Sequence, residues 1–209
     1  MSADRPSSTH ALALAVMREL TSLPTVTVCL EGWSLVAAFD PDLQEHGRRS
    51  AVGAGAVTSR PLLHGLWLLP SGIPVPSSAI PAKKLGRLRD AHHFVVEGRS
   101  GFERLYAPPG IIRAVCFSGA EPLRSIERAA RFTPIVERVV VTPPGVQASQ
   151  GATVLAREFG VGLIEARDDG TSVLLSPRAA VVGVPAVYRW WIAELAYASW
   201  LQQSAQPVS

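Results

Sequence analysis

From Ile111 to Ala166 the chain alternates apolar strand-type runs with amphipathic helical ones. Ile111–Phe117 (IIRAVCF) is nearly continuous in apolar residues, the mark of a strand covered on both faces. Glu121–Val136 reads as a helix with Leu123, Ile126, Ala130 and Ile135 along one side. Two registers fit its start. Ser118 and Glu121 have capping-box spacing, or Pro122 takes the first helical position with Glu121 as cap. Arg138–Thr142 is a second buried-type strand, closed by Pro143-Pro144-Gly145. Ala148–Phe159 predicts a helix that Gly160 terminates, and Val161–Ala166 a third strand. Asp168-Asp169-Gly170 then turns the chain into Ser172–Leu175. Strands of this kind joined through helices imply parallel pairing by right-handed crossovers. The expected class is α/β, a mixed central sheet flanked by helices.

The flanks add antiparallel pieces. Met1–Thr9 is a polar tail, and His10–Leu23 predicts a helix, capped by Ser8 or Thr9 and ended by Pro24. Thr25–Leu30 and Trp33–Phe39 form a hairpin about Gly32, closed by Asp40-Pro41-Asp42. Gln44–Ser59 reads as loop, and its Gly53/Gly55 pair lacks the third glycine of a dinucleotide fingerprint. Leu62–Leu69 is apolar, and four prolines between positions 70 and 81 make a rigid connection after it. Ile80–His93 is basic and amphipathic, and His93–Glu97 with Phe102–Ala107 reads as a second hairpin. The last helix is expected over Val184–Gln203, with Tyr188, Trp191, Leu195 and Trp200 at helical spacing.

Composition narrows the class. At 209 residues, 47% hydrophobic and 18% charged, the chain can fill a core of one domain, with room for an appendage. Its apolar runs are too short to cross a bilayer, so no membrane is expected, and MSADRPSSTH lacks the pattern of a secretory leader. Cys29 and Cys116 lie in separate strand-like runs and are expected to be buried free thiols in a reducing cytoplasm. A net charge of +3 and a pI near 9.2 permit a phosphate-bearing partner without requiring one. No G-x-S-x-G, Walker loop, H-E-x-x-H or cysteine-rich metal motif occurs. His92-His93 has no third ligand at a known spacing, so no metal site is expected there.

The segments AVCFSGAEPLRSIERAARF, VVVTPP and FGVGLIEA, with the hairpin WSLVAAFDPD, resemble the restriction-endonuclease-like (PD-(D/E)XK) superfamily. The resemblance covers the first third and the second half. It implies core segments at residues 1–43 and 110–209, the latter with the C-terminal helix, and an insertion or small subdomain at residues 44–109. The family places an acidic residue on one strand and an E-x-K pair on the next, with Mg²⁺ held by the carboxylates. Here those positions fall near Ser34, Val115 and Phe117, none of which can do that work. The resemblance therefore implies a non-catalytic, nuclease-like domain without a cofactor, binding nucleic acid or a protein partner. One alternative is a Mg²⁺-dependent nuclease with displaced acids, for which Asp40, Glu97, Glu103 and Glu121 are the candidates. Another is a structural or assembly protein, self-associating or not, that uses the fold for protein contacts.

The cations form two groups. Arg124, Arg128 and Arg131 stand at i, i+4 and i+7 on one helix face, with Glu127 placed to pair with Arg124 or Arg131. Lys83, Lys84, Arg87 and Arg89 make a second basic face. Arginine forks match phosphate geometry, so these seven residues are the candidate nucleic-acid contacts. Trp190 and Trp191 are adjacent on the last helix, and one of them is a candidate for a partner interface.

Overall fold

The computed structural model describes residues 8–30, 32–132, 135–181 and 187–205. Residues Met1–Ser7 of the expected polar tail, Thr133-Pro134 near the end of the expected Glu121–Val136 helix, and Val184 at the expected start of the last helix lie outside the described residues. The fold class is mixed α/β, and the chain divides into two compact units.

The first unit takes in residues 1–40 and 112–184. Its six-stranded sheet has the order β1-β2-β5-β6-β7-β8. The strands are β1 (Thr25–Leu30), β2 (Trp33–Pro41), β5 (Gly110–Ser118), β6 (Glu137–Thr142), β7 (Gly162–Arg167) and β8 (Gly170–Leu175). β1 and β2 pair antiparallel, β5, β6 and β7 run parallel, and β8 returns antiparallel along β7. The expected strands are therefore present within a residue or two of their expected bounds. Helix α1 (Ser8–Leu20) seats Ala13, Val16 and Met17 against Val36, Ala38, Cys116, Val139, Val141 and Ile164. Those sheet positions alternate in sequence, so they mark one face.

Helices α5 (Pro122–Ala130) and α6 (Gln150–Phe159) follow β5 and β6, and they pack on each other. Pro122 occupies the start of α5 and the Glu121 side chain makes no cap bond, which selects the second of the two registers. The helix ends at Ala130, earlier than expected; Pro134 has no N–H to offer the Ala130 carbonyl. Ser149 caps α6 by accepting from the Ala152 N–H, and Gly160 closes it at φ +65°. Cys116 is buried as expected, but Cys29 is exposed. Its strand β1 is an edge strand, and an apolar run there need not be covered on both faces.

The second unit takes in residues 41–111 and 185–209. It holds α2 (Leu43–Ala51), α3 (Arg60–Trp67), α4 (Ala82–Asp90), the hairpin β3 (Val95–Gly98) and β4 (Gly101–Arg104), and the long helix α7 (Val187–Ser204). The C-terminal helix thus belongs with the middle of the chain, not with the sheet. Leu63, Leu66, Leu69, Leu88, Phe102 and Tyr106 form its core, with Trp190 and Trp191 packed against them.

The loop expected over Gln44–Ser59 is a helix in its first half. Asp42 caps it, its Oδ1 accepting from the Gln44 and Glu45 N–H groups, both at 3.0 Å. Hydrophobic periodicity could not reveal α2, because its buried residues are Glu45 and Arg49. Arg49 is fully buried and donates to Glu45 at 2.7 Å, to both Glu194 oxygens at 2.8 and 2.9 Å, and to the Ala107 carbonyl at 3.0 Å. Glu194 also accepts from the Tyr106 hydroxyl and, at 2.6 Å, from the Val57 N–H. The Arg49 guanidinium lies 4.9–5.3 Å from the ring centres of Phe94, Tyr106 and Tyr197.

Candidate nucleic-acid interface

Strand alternation decides what stands beside Phe117. Val36 and Ala38 face α1, so Ser34 shares their side of β2, and its hydroxyl lies 3.6 Å from the Cys29 sulfur across the hairpin. Trp33 points the other way. Its ring centre is 5.7 Å from that of Phe117 and 6.2 Å from that of Phe132, and the two phenylalanines are 5.6 Å apart. The three positions to which the resemblance assigns a site therefore do not share one face: Ser34 lies on the α1 side, Phe117 on the other. The residue facing Phe117 from β2 is Trp33, and an aromatic cluster stands there in place of polar groups.

Two of the three α5-side arginines complete this cluster. The guanidinium of Arg128 is 5.9 Å and that of Arg131 5.5 Å from the Trp33 ring centre. Both arginines are exposed, Trp33 is half-buried, and neither cation has a carboxylate partner among the described residues. Arg124 differs, because Glu121 holds it at 2.9 Å. Glu127 pairs with neither Arg124 nor Arg131, contrary to expectation; Glu121, one turn earlier, has taken Arg124. The arrangement places a half-buried indole and two exposed guanidinium groups, without carboxylate partners among the described residues, on one surface. Chemically, that combination accepts a flat ring and the phosphates beside it.

Within the first unit, the candidate acids Asp40 and Glu121 stand apart. Asp40 lies next to the end of β2 and accepts from Arg113 at 2.7 and 3.1 Å, near the start of β5. Glu121 lies beyond the far end of that strand, about 16 Å of strand rise away. Glu97 and Glu103 belong to the hairpin of the second unit. Glu97 is bound to Arg89 at 3.0 Å, and these hydrogen bonds hold its carboxyl below the usual range. Among the described residues no three histidines, cysteines or acids could share a metal ion. His92 and His93 lie just beyond α4 with ring centres 4.0 Å apart.

The second basic group keeps its charges partly occupied. Arg89 is committed to Glu97 and Lys84 reaches the His64 carbonyl at 3.4 Å, leaving Lys83 and Arg87 as the exposed cations of α4 without a side-chain partner among the described residues. Trp190 and Trp191 are both engaged within their own unit. Trp190 meets Trp67 and Tyr106 at 5.1 and 5.3 Å, and Trp191 donates to the Thr58 carbonyl at 3.1 Å while Arg60 stacks on it at 3.6 Å. The segments before and inside α3 supply the contacts that let adjacent tryptophans pack against one core.

Sequence reasoning singled out the arginines of α5 but missed Trp33 and Phe132 as their companions. The signal available was the hairpin register: with one inward face assigned, the odd-numbered residues of β2 fall on the other. Compared with known proteins, the chain matches no family model, no curated protein and no solved structure.

Proposed function

We propose that this chain is a non-catalytic, nuclease-like domain that binds single-stranded nucleic acid on the surface of Trp33, Arg128 and Arg131. The observation that carries the reading is the pair of guanidinium groups, without carboxylate partners among the described residues, at 5.9 and 5.5 Å from a half-buried indole. Base stacking on an aromatic side chain is worth about 1–3 kcal/mol and does not depend on base identity. Two arginines beside it supply the phosphate contacts that make binding salt-dependent. The likeness to restriction-endonuclease-like proteins is supported by the strand order β1-β2-β5-β6-β7 with a helix after each of β5 and β6. The non-catalytic reading is supported by Ser34, Val115 and Phe117 standing where that likeness calls for an acid and an E-x-K pair, and by the separation of Asp40 from Glu121 within the sheet unit.

The test is fluorescence anisotropy with labelled single-stranded and duplex oligonucleotides over about 50–200 mM salt. Single strands are expected to bind more tightly than duplex of the same length. Arg128→Ala and Arg131→Ala are each expected to lower the salt slope by about one. Trp33→Ala is expected to weaken binding about tenfold or more at every salt concentration. Absence of binding at the lowest salt, or slopes that ignore both arginines, would overturn the reading.

A further inference from the structure

The opposite face of the same sheet carries a cavity of about 360 Å³. Met17 and Leu20 of α1 roof it, and Val139, Ile164 and Leu175 of the sheet line it. Its volume falls in the range of small-molecule sites, roughly 300–1,000 Å³, which combine an apolar lining with a few placed polar groups. Two charged side chains line it, Arg113 and Glu137.

Their states differ. Arg113 gives its Nε–H and an Nη2–H to Asp40, so its charge is already matched. Glu137 is half-buried and makes no hydrogen bond or ion pair among the described residues. It stands two residues before Val139 on β6 and opposite Ala114 of β5, so strand alternation places its carboxylate on the cavity's side of the sheet. With Asp40 and Arg113 cancelling, the unspent charge at the cavity is the single negative one of Glu137. An apolar ligand with a carboxylate would meet repulsion there. An apolar ligand with an ammonium group would bury its body and donate its N–H bonds to Glu137.

We infer that the cavity between α1 and the sheet is a binding site for a small apolar amine, anchored by Glu137 and enclosed by Met17, Val139, Ile164 and Leu175. The site stands apart from the Trp33 surface, since Ala114 lines it from one face of β5 while Phe117, on the other face, meets Trp33.

The chain has two methionines, Met1 and Met17, so a methionine-methyl-labelled sample gives one signal from the cavity and one from the tail. The probes are 2-phenylethylamine and 3-phenylpropionate, which share a ring and differ in the sign of the charge. The amine is expected to shift the Met17 methyl signal saturably and leave that of Met1 in place. The carboxylate is expected to bind at least tenfold more weakly. Glu137→Gln is expected to cost the amine at least tenfold in affinity and to abolish the discrimination. Ser176→Trp, a substitution of an exposed residue at the rim, is expected to block both probes. Equal binding of the two probes, an unmoved Met17 signal, or an amine affinity indifferent to Glu137→Gln would each overturn the proposal.

Discussion

Trp33 and Ser34 differ by one position and therefore by one face of the sheet, which is enough to change what the site is made of. The same rule separates Cys116 from Phe117 on β5. Cys116 is sealed under α1, and burial pushes its thiol up to about 12. Cys29, on the edge strand, is exposed. One thiol per chain is therefore expected to react with a disulfide reagent at pH 8 in the native protein, and the second only at the rate of unfolding. Two fast thiols would contradict the buried position of Cys116. The shift has a consequence for stability as well. The folded chain keeps the Cys116 proton that the unfolded chain releases near pH 9, so stability is full below that pH and declines as pH rises toward about 12. Cys116→Ala is expected to remove that part of the alkaline decline, read by denaturant titrations at pH 8 and pH 11.

Helix α2 owes its place to ion pairs more than to apolar burial. Burial works to raise the Glu45 pKa, yet hydrogen bonds from Arg48 and Arg49 overcome it and hold the carboxylate below its ordinary value. This stabilising contribution is present above about pH 4.5 and is lost as pH falls through the lowered folded-state pKa. The link between α2 and α7 is the fully buried pair of Arg49 and Glu194, closed by Tyr106 and the Val57 N–H. Removing one partner leaves an uncompensated charge in the core, at a cost of about 3–5 kcal/mol. Arg49→Met and Glu194→Leu are each expected to lose that much in urea titrations, whereas the double variant is expected to lose far less than their sum. Additive losses would show that the two residues do not act as a unit. The same elements explain what could be read from the chain. The strands and helices of the sheet unit obey hydrophobic periodicity, so Thr25–Leu30, Arg138–Thr142 and the Gly160 stop were legible. Leu43–Ala51 was not, because its inward residues are charged and Arg49 finds its partner Glu194 well over a hundred positions away. Of the candidate site, the arginine spacing on α5 was legible. Trp33's part in it required knowing which face of β2 the helix α1 covers.

At the scale of the whole molecule, each unit has its own core, and the chain enters the second one twice. Its two contributions are not equal in what they complete. α7 brings Glu194 to Arg49 and seats Ile192, Ala193, Ala196 and Tyr197 in buried positions. Loss of that helix would withdraw the burial of two large side chains, each worth about 1.5–3 kcal/mol. It would also leave Arg49 buried without Glu194, at about 3–5 kcal/mol. The sum is comparable to the whole stability of an ordinary domain, about 5–15 kcal/mol. The sheet unit's core cluster of Val16, Met17, Val36, Cys116, Val139 and Val141 is built from α1 and the strands. A chain ending at Val181 is therefore expected to lose amide protection throughout Leu43–Ala51 and Arg60–Trp67 in hydrogen-exchange mass spectrometry. Protection in Val139–Val141 and in Leu163 and Ile164 is expected to persist. Nucleic-acid binding by that truncated chain should also persist, since Trp33, Arg128 and Arg131 all belong to the sheet unit. Loss of protection spread evenly over both units would show instead that they fold as one cooperative body, and the two-core description would fall with it.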